Sequence, residues 1–309
     1  MKRLSPTTLS YLQSCVCLCR GPRRLLILKD HDMRLRPRLP RQRRASVTIA
    51  ALAVIVLAGS CGTSDSLPQE IGRSSTGVRA PVGIRPTGIR GAWTLRFDDE
   101  FNGSTLDRSK WSTGWLGSGA TPPVNSYEQA CYAPSQVTES GGSLNLSVVA
   151  SSCTVNGTTY PYRSGMINSD GKAEFTYGYF EARLYLPGSR AQIANWPAWW
   201  ADGQVWPTDG EMDVLEGLGG RACYRFHGSL GEVGGCTTKD FTGWHTYGAD
   251  WEPGFITYYR DGRAVGHITT GVTSAPMYLI LNDAVNGPGG PIVAPSTMRV
   301  DYVRVWSKA

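Results

Sequence analysis

"YFEARLYL", residues 179–186, reads as one strand with two unlike faces. Side chains alternate across a β-strand. Phe180, Ala182, Leu184 and Leu186 therefore line one side, and Tyr179, Glu181, Arg183 and Tyr185 the other. The first set suits a core between two sheets. The second suits solvent or a ligand groove, solvent being the commoner case for a strand taken alone. Similar short runs recur along the chain: "LNLSVV" (144–149), "FITYYR" (255–260), "MYLILN" (277–282) and "MRVDYVRVW" (298–306). "RDGR" at 260–263 joins two such runs as a hairpin turn would. No amphipathic helix and no repeat period stand out between 91 and 309. Many short strands with Gly and Pro turns predict an all-β sandwich or barrel.

A second strand is stranger. "DGEMDVLEGLGG" (209–220) places Glu211, Asp213 and Glu216 among Met212, Val214 and Leu215. Strict alternation would put 211, 213 and 215 together and send Glu216 into the core. One extra residue between 213 and 216, a β-bulge near Val214–Leu215, returns all three acids to one face, and bulges are common beside active sites. Crowded carboxyls repel and share protons. Hydrolysis of a glycosidic bond uses such crowding: one carboxylate attacks, and another keeps a proton for the leaving oxygen. Retaining enzymes hold these two groups about 5–5.5 Å apart. Along a strand the Cα atoms of 211 and 216 would lie roughly 13 Å apart, so a curved sheet and long side chains must close the gap.

Two other readings compete. A calcium ion needs more oxygen ligands than one strand supplies. An acidic edge would discourage aggregation but leaves Met212, Val214 and Leu215 without purpose. "NWPAWWADGQVWPTDGEMDVLE" (195–216) adds Trp196, Trp199, Trp200 and Trp206 beside the acids. Four indoles so close together do not all fit a core easily, and sugar rings lie flat on indoles. Trp196, Trp200 and Trp206 are therefore candidate substrate contacts.

"GEMDVLE" resembles the signature of glycoside hydrolase family 16 in its bulged E-x-D-x-x-E form. The resemblance extends over nearly all of 93–306. "FDDEFNGSTLDRSKW" (97–111) is similar to the family's opening segment, "GYFEARLYLP" and "WPAWW" to the strands before the signature, and "WHTYGADWEPGFITYYRDG" (244–262) and "MRVDYVRVW" to the closing strands. It implies a concanavalin-like two-sheet β-jelly roll with a concave open cleft. It also implies retention, with Glu211 as nucleophile, Glu216 as acid/base and Asp213 as assistant. The expected substrate is β-1,3- or mixed β-1,3/1,4-glucan, cut internally. Transglycosylation, another polysaccharide (galactan, agar or carrageenan) and a non-catalytic carbohydrate-binding jelly roll remain alternatives, the intact acids speaking against the last. Arg183, His227 and Asn125 are further candidate substrate contacts. His227 matches a family position, although a lone His is as often structural. Many β-1,3-glucanases of the family carry Asn-Glu where this chain has Tyr127-Glu128, with Asn125 displaced. Relatives often hold a structural calcium; Glu100, the carbonyl of Gly142 and Asp301 occupy the matching segments. No cofactor is expected in catalysis.

The N-terminal part is of another kind. Residues 1–60 hold 12 Lys and Arg against 2 Asp, leaving 19 basic and 23 acidic residues in 61–309, a net of −4. The basic balance belongs to the leader, so nucleic-acid binding is not indicated for the rest. From Met33 an Arg-rich stretch, an apolar run (47–57) and small residues form a secretory signal pattern. Cys61 follows directly in "AGSC", which resembles a bacterial lipoprotein signal, plain secretion being the alternative. The expected location is extracellular or the outer face of the bacterial membrane, with a lipid anchor through Cys61. Residues 1–32 read as an untranslated upstream segment, 33–60 as signal peptide, 61–90 as a flexible linker and 91–309 as the catalytic domain, expected to be monomeric. Among the remaining cysteines, proximity pairs Cys131 with Cys153 and Cys223 with Cys236, one of three connectivities. Zinc is the alternative, but these four show no CxxC spacing. The "GLGGRACYRFHGSLGEVGGC" stretch (217–236) is expected to form a disulfide-pinned loop at the cleft.

Overall fold

The computed structural model describes residues 83–309 except 238 and 239. The upstream segment, the signal peptide, Cys61 and the linker up to residue 82 lie outside the described residues.

Two eight-stranded antiparallel sheets face each other as a jelly-roll sandwich. One, the site sheet, runs in the order 231–237, 221–228, 211–218, 196–203, 277–284, 166–168 and 112–113, with 174–175 paired to 277–284. The other, the outer sheet, runs 263–268, 255–260, 244–252, 178–185, 296–308, 144–148 and 137–139, with 93–99 added beside 296–308. Between them lies one large apolar cluster. Phe180, Ala182 and Leu184 enter it from the outer sheet, and Trp199, Ala201, Met212, Leu279 and Leu281 from the site sheet. Each large side chain buried this way contributes roughly 2 kcal/mol of transfer free energy. Period-2 patterning over strands this short leaves the opposite set of side chains free for chemistry on the site sheet.

On the second face of "YFEARLYL", Tyr179 and Glu181 meet neither solvent nor a groove, while Arg183 and Tyr185 stay half-buried. Tyr179 and Glu181 are as buried as the core set. Residues 84–90, expected to belong to the linker, lie over them. Thr87 donates to Glu181 from both its backbone N–H and its hydroxyl, each at 3.0 Å. Tyr302 adds a third bond at 2.9 Å, and the Trp306 indole donates to the Ile84 carbonyl. Gly88 meets Gly262, in the turn of the "RDGR" hairpin, backbone to backbone: a Cβ on Gly88 would sit 2.6 Å from the Gly262 Cα. The folded unit therefore begins several residues before the boundary expected at 91.

Candidate active site

The bulge is where the acid spacing requires it. On one side Trp199 pairs with Leu215 and Trp200 with Asp213, skipping Val214. On the other, Asp213 pairs with Arg225 and Glu216 with Cys223, so three steps along the acidic strand match two along its neighbour. Met212, Val214 and Leu215 all enter the core, and the acids share the opposite face.

Pairing across five strands sets the site out in rungs. One rung holds Tyr278, Asp202, Glu211, His227 and Glu232. The next holds Ile280, Trp200, Asp213, Arg225 and Gly234. Beyond the bulge come Asn282, Ala198, Glu216, Cys223 and Cys236. Glu211, Asp213 and His227 bring ligating atoms within 4.8 Å of one another. The Trp206 indole donates to Glu211 Oε2, and the Trp196 indole to Glu216 Oε1 at 3.1 Å. His227 Nε2 lies 3.2 Å from Asp213 Oδ2, and Arg225 Nε lies 3.5 Å from Glu216 Oε2.

Asp213 and Glu216 are buried. Burial first, then the charge of Asp213, holds the Glu211 carboxyl well above the ordinary carboxylate range. Burial and the charge of Glu216 do the same to Asp213. Glu216 is raised by burial and drawn back by the Trp196 hydrogen bond, His227 and Arg225. Burial and mutual repulsion both oppose ionising all three groups together, which favours a proton kept within the row. That is the state general-acid chemistry needs.

The other expected contacts are sorted by the fold. Trp199 points into the core and Trp200 away from it, as alternation demands. Trp200 is 6% exposed, stacks on Trp115 with ring centroids 5.7 Å apart, and donates to Asn282. It forms part of the floor rather than an open platform. Asn282 in turn donates to the Tyr132 hydroxyl, which donates to Glu128 Oε2. The other Glu128 oxygen accepts from the backbone of Val124 and Asn125. Burial raises Glu128 to about 7. Asn125 itself closes a turn, accepting from the Tyr127 N–H at 3.0 Å. Its loop, rather than its amide, is thus tied to the floor.

Arg183 stands elsewhere. It lies on the outer sheet, bonded to Asp301 at 2.7 Å and stacked over Trp244, and is not brought to the acids. Two of the residues expected around a calcium ion, Asp301 and Glu100, face guanidinium groups. The strand 296–308 carries Asp301 between the segments of Glu100 and Gly142, but Asp301 is taken by Arg183. Glu100 accepts both bonds of a bidentate pair from Arg304. Both cysteine pairings are present, Cys131–Cys153 and Cys223–Cys236. The second joins two paired strands, in register at 223 and 236, rather than pinning a loop.

Comparison with known proteins bears on this geometry. The family described as "Beta-glucan synthesis-associated protein SKN1/KRE6/Sbg1" matches residues 85–213. Endo-1,3-1,4-beta-glycanase EglC of Rhizobium meliloti is 31% identical over 256 residues, 71% of this chain and 52% of its own length. A beta-glucanase of Rhodothermus marinus is 30% identical over 254 residues, 69% of this chain and 85% of that protein. SCLam, a non-specific endo-beta-1,3(4)-glucanase from family GH16, superposes with a TM-score of 0.61 at 28% identity, over 73% of this chain and 95% of its own. The chain belongs to glycoside hydrolase family 16. It spans about half the length, or less, of the first curated relatives it matches. Within the family 16 frame, two groups escaped the sequence reading. Asp202 shares the face of Trp196 and Trp200 by simple parity, a signal that was available. Glu232 sits in a glycine-rich hairpin strand, where a lone acid looks like a solvated one.

Proposed function

We infer that this family 16 chain is an exported endo-acting hydrolase of β-1,3- or mixed β-1,3/1,4-glucan that works with retention. The observation supporting this most directly is the bulge, which sets Glu211, Asp213 and Glu216 on one face of the site sheet with an indole donor on each of the outer two. In the first step an ionised Glu211 oxygen attacks the anomeric carbon. The carbon–oxygen glycosidic bond breaks, and the Glu216 proton passes to the leaving oxygen. In the second, the Glu216 carboxylate takes a proton from water, the water oxygen bonds to the same carbon, and Glu211 leaves as a carboxylate. Asp213, between them, lies beside both carboxyls and is raised by the charge of Glu216. Trp206 stabilises the carboxylate form of Glu211, and Trp196 that of Glu216. Export, with a lipid on Cys61, follows from the N-terminal pattern alone.

The test is digestion of laminarin, lichenan, agarose, carrageenan and galactan, with product anomers followed by NMR. Internal cleavage of the glucans with the β-anomer appearing first is expected. Glu211→Gln and Glu216→Gln should each lose at least about a thousandfold in kcat/KM with an unchanged melting temperature. Azide added to Glu211→Ala with an activated aryl glycoside should yield the α-glycosyl azide. Full activity in either Gln variant would overturn the assignment, and transfer to added oligosaccharide in preference to water would make it a transglycosylase.

A further inference from the structure

Behind the acids stands a further carboxylate that, like Asp202, the mechanism above does not use. Glu232 lies on the edge strand 231–237, directly opposite His227. Its two oxygens engage two different side chains, a guanidinium and an imidazole. Oε1 takes Arg225 Nη1 at 2.7 Å, and Oε2 faces His227 Nδ1 at 3.6 Å. Each of those side chains turns its other nitrogen to one of the acids: Arg225 Nε to Glu216 and His227 Nε2 to Asp213. The arrangement is a fork. We propose that Glu232 is a positioning residue of the active site, holding Arg225 and His227 so that each faces its own member of the acidic row.

Two observations make the fork a built feature rather than a chance meeting on a charged surface. Arg225 Nε and Glu216 Oε2 are both buried and have no hydrogen-bond partner, although they face each other at 3.5 Å. The guanidinium is therefore held just short of bonding its catalytic neighbour, by its stronger bond to Glu232. The strand below Arg225 is also cleared for it. Arg225 pairs with Gly234, and a Cβ there would meet Arg225 Cγ at 2.6 Å and the Tyr224 carbonyl at 2.3 Å.

The consequence is chemical. A guanidinium free to close on Glu216 would favour its carboxylate and take away the proton that the leaving oxygen needs. Glu232 draws the cation back and adds a negative charge of its own. The groups facing Glu216 are Asp213 on its own strand, Trp196 from the strand before, Arg225 and His227 from the strand after, and Glu232 beyond them. Glu232 takes no part in the proposed steps, and its side chain is 58% exposed.

This inference rests on the proposed roles of Glu211 and Glu216, and its test separates the two. The pH dependence of kcat/KM would be measured for Glu232→Gln, Glu232→Asp and the unaltered protein. The basic limb of Glu232→Gln is expected to move down by about half a pH unit or more. Glucan hydrolysis at pH 7.5 should fall several-fold, and Glu232→Asp should recover part of the shift. An aryl glycoside whose leaving group needs no protonation should be spared. A separate measurement needs no turnover: the carboxyl carbons of 13C-glutamate-labelled protein are titrated by NMR, with Glu216 assigned by its Gln variant. Its midpoint should be lower in Glu232→Gln than in the unaltered protein. An unmoved Glu216 midpoint, or a uniform loss on both substrates with an unshifted limb, would overturn the fork. An unaltered protein that cuts no polysaccharide would overturn the proposed function instead, leaving the NMR result to stand on its own.

Discussion

Trp206 and Trp196 give the acidic row its asymmetry at the scale of single residues. Each offers one N–H to one carboxyl, but Trp206 is 38% exposed at the rim, so its bond can be removed without touching the core. Trp206→Phe keeps an aromatic ring and deletes the donor. A hydrogen bond to a charged group contributes about 1.5–3 kcal/mol, so kcat/KM should fall roughly tenfold or more, with little change in melting temperature. The sign of the pH effect follows from the form that is stabilised. Without the donor, Glu211 gains a proton more readily, so the acidic limb of the profile should move to higher pH. A pH–rate profile with an unmoved acidic limb would exclude this role. At this scale the sequence was informative wherever spacing carried the signal. Glu211, Asp213 and Glu216 were legible because only a bulge reconciles them with Met212, Val214 and Leu215. Arg183 was misread because alternation tells which side of a strand a residue occupies and not which of two sheets the strand joins.

Among the elements, the bulged strand decides whether the acids cooperate. Deleting Leu215 would convert E-x-D-x-x-E to E-x-D-x-E, a spacing that alternates without a bulge. The core would lose one buried side chain, about 2–3 kcal/mol by transfer, and the last acid would shift along the strand. A displacement near 1 Å costs about a hundredfold in rate. The expected variant is folded, melts lower and turns over at least a hundred times more slowly, while tryptophan fluorescence still reports sugar binding. Turnover close to that of the intact strand would show that the extra residue is dispensable. The strands themselves were readable from period-2 patterning. The covering of Tyr179 and Glu181 was not, because burial of a polar face depends on what later lies over it, and "RPTGIRG" (85–91) carries no apolar periodicity to announce a docked segment.

For the molecule as a whole, that docked segment moves the edge of the folded unit. Glu181 is buried and its carboxyl is raised by burial, so its hydrogen bonds matter more than those of a surface acid. A chain beginning at residue 91 lacks Thr87 and Ile84 and should be less stable than one beginning at 83 by about 2–4 kcal/mol. In a domain of this size that is a fall of roughly 5–10 °C in melting temperature, read by calorimetry, with catalytic constants little changed. Equal melting temperatures would mean the segment merely rests on the sheet. At the opposite border, the edge strand 231–237 has three glycines among its seven residues and no fully buried side chain. Backbone hydrogen bonds alone would accept it almost equally well after a slide of two places, since such a slide preserves the facing of every side chain. The Cys223–Cys236 crosslink removes that freedom. It acts as a detent, admitting one setting of the edge, and in that setting Glu232, four residues back along the same strand, arrives opposite His227.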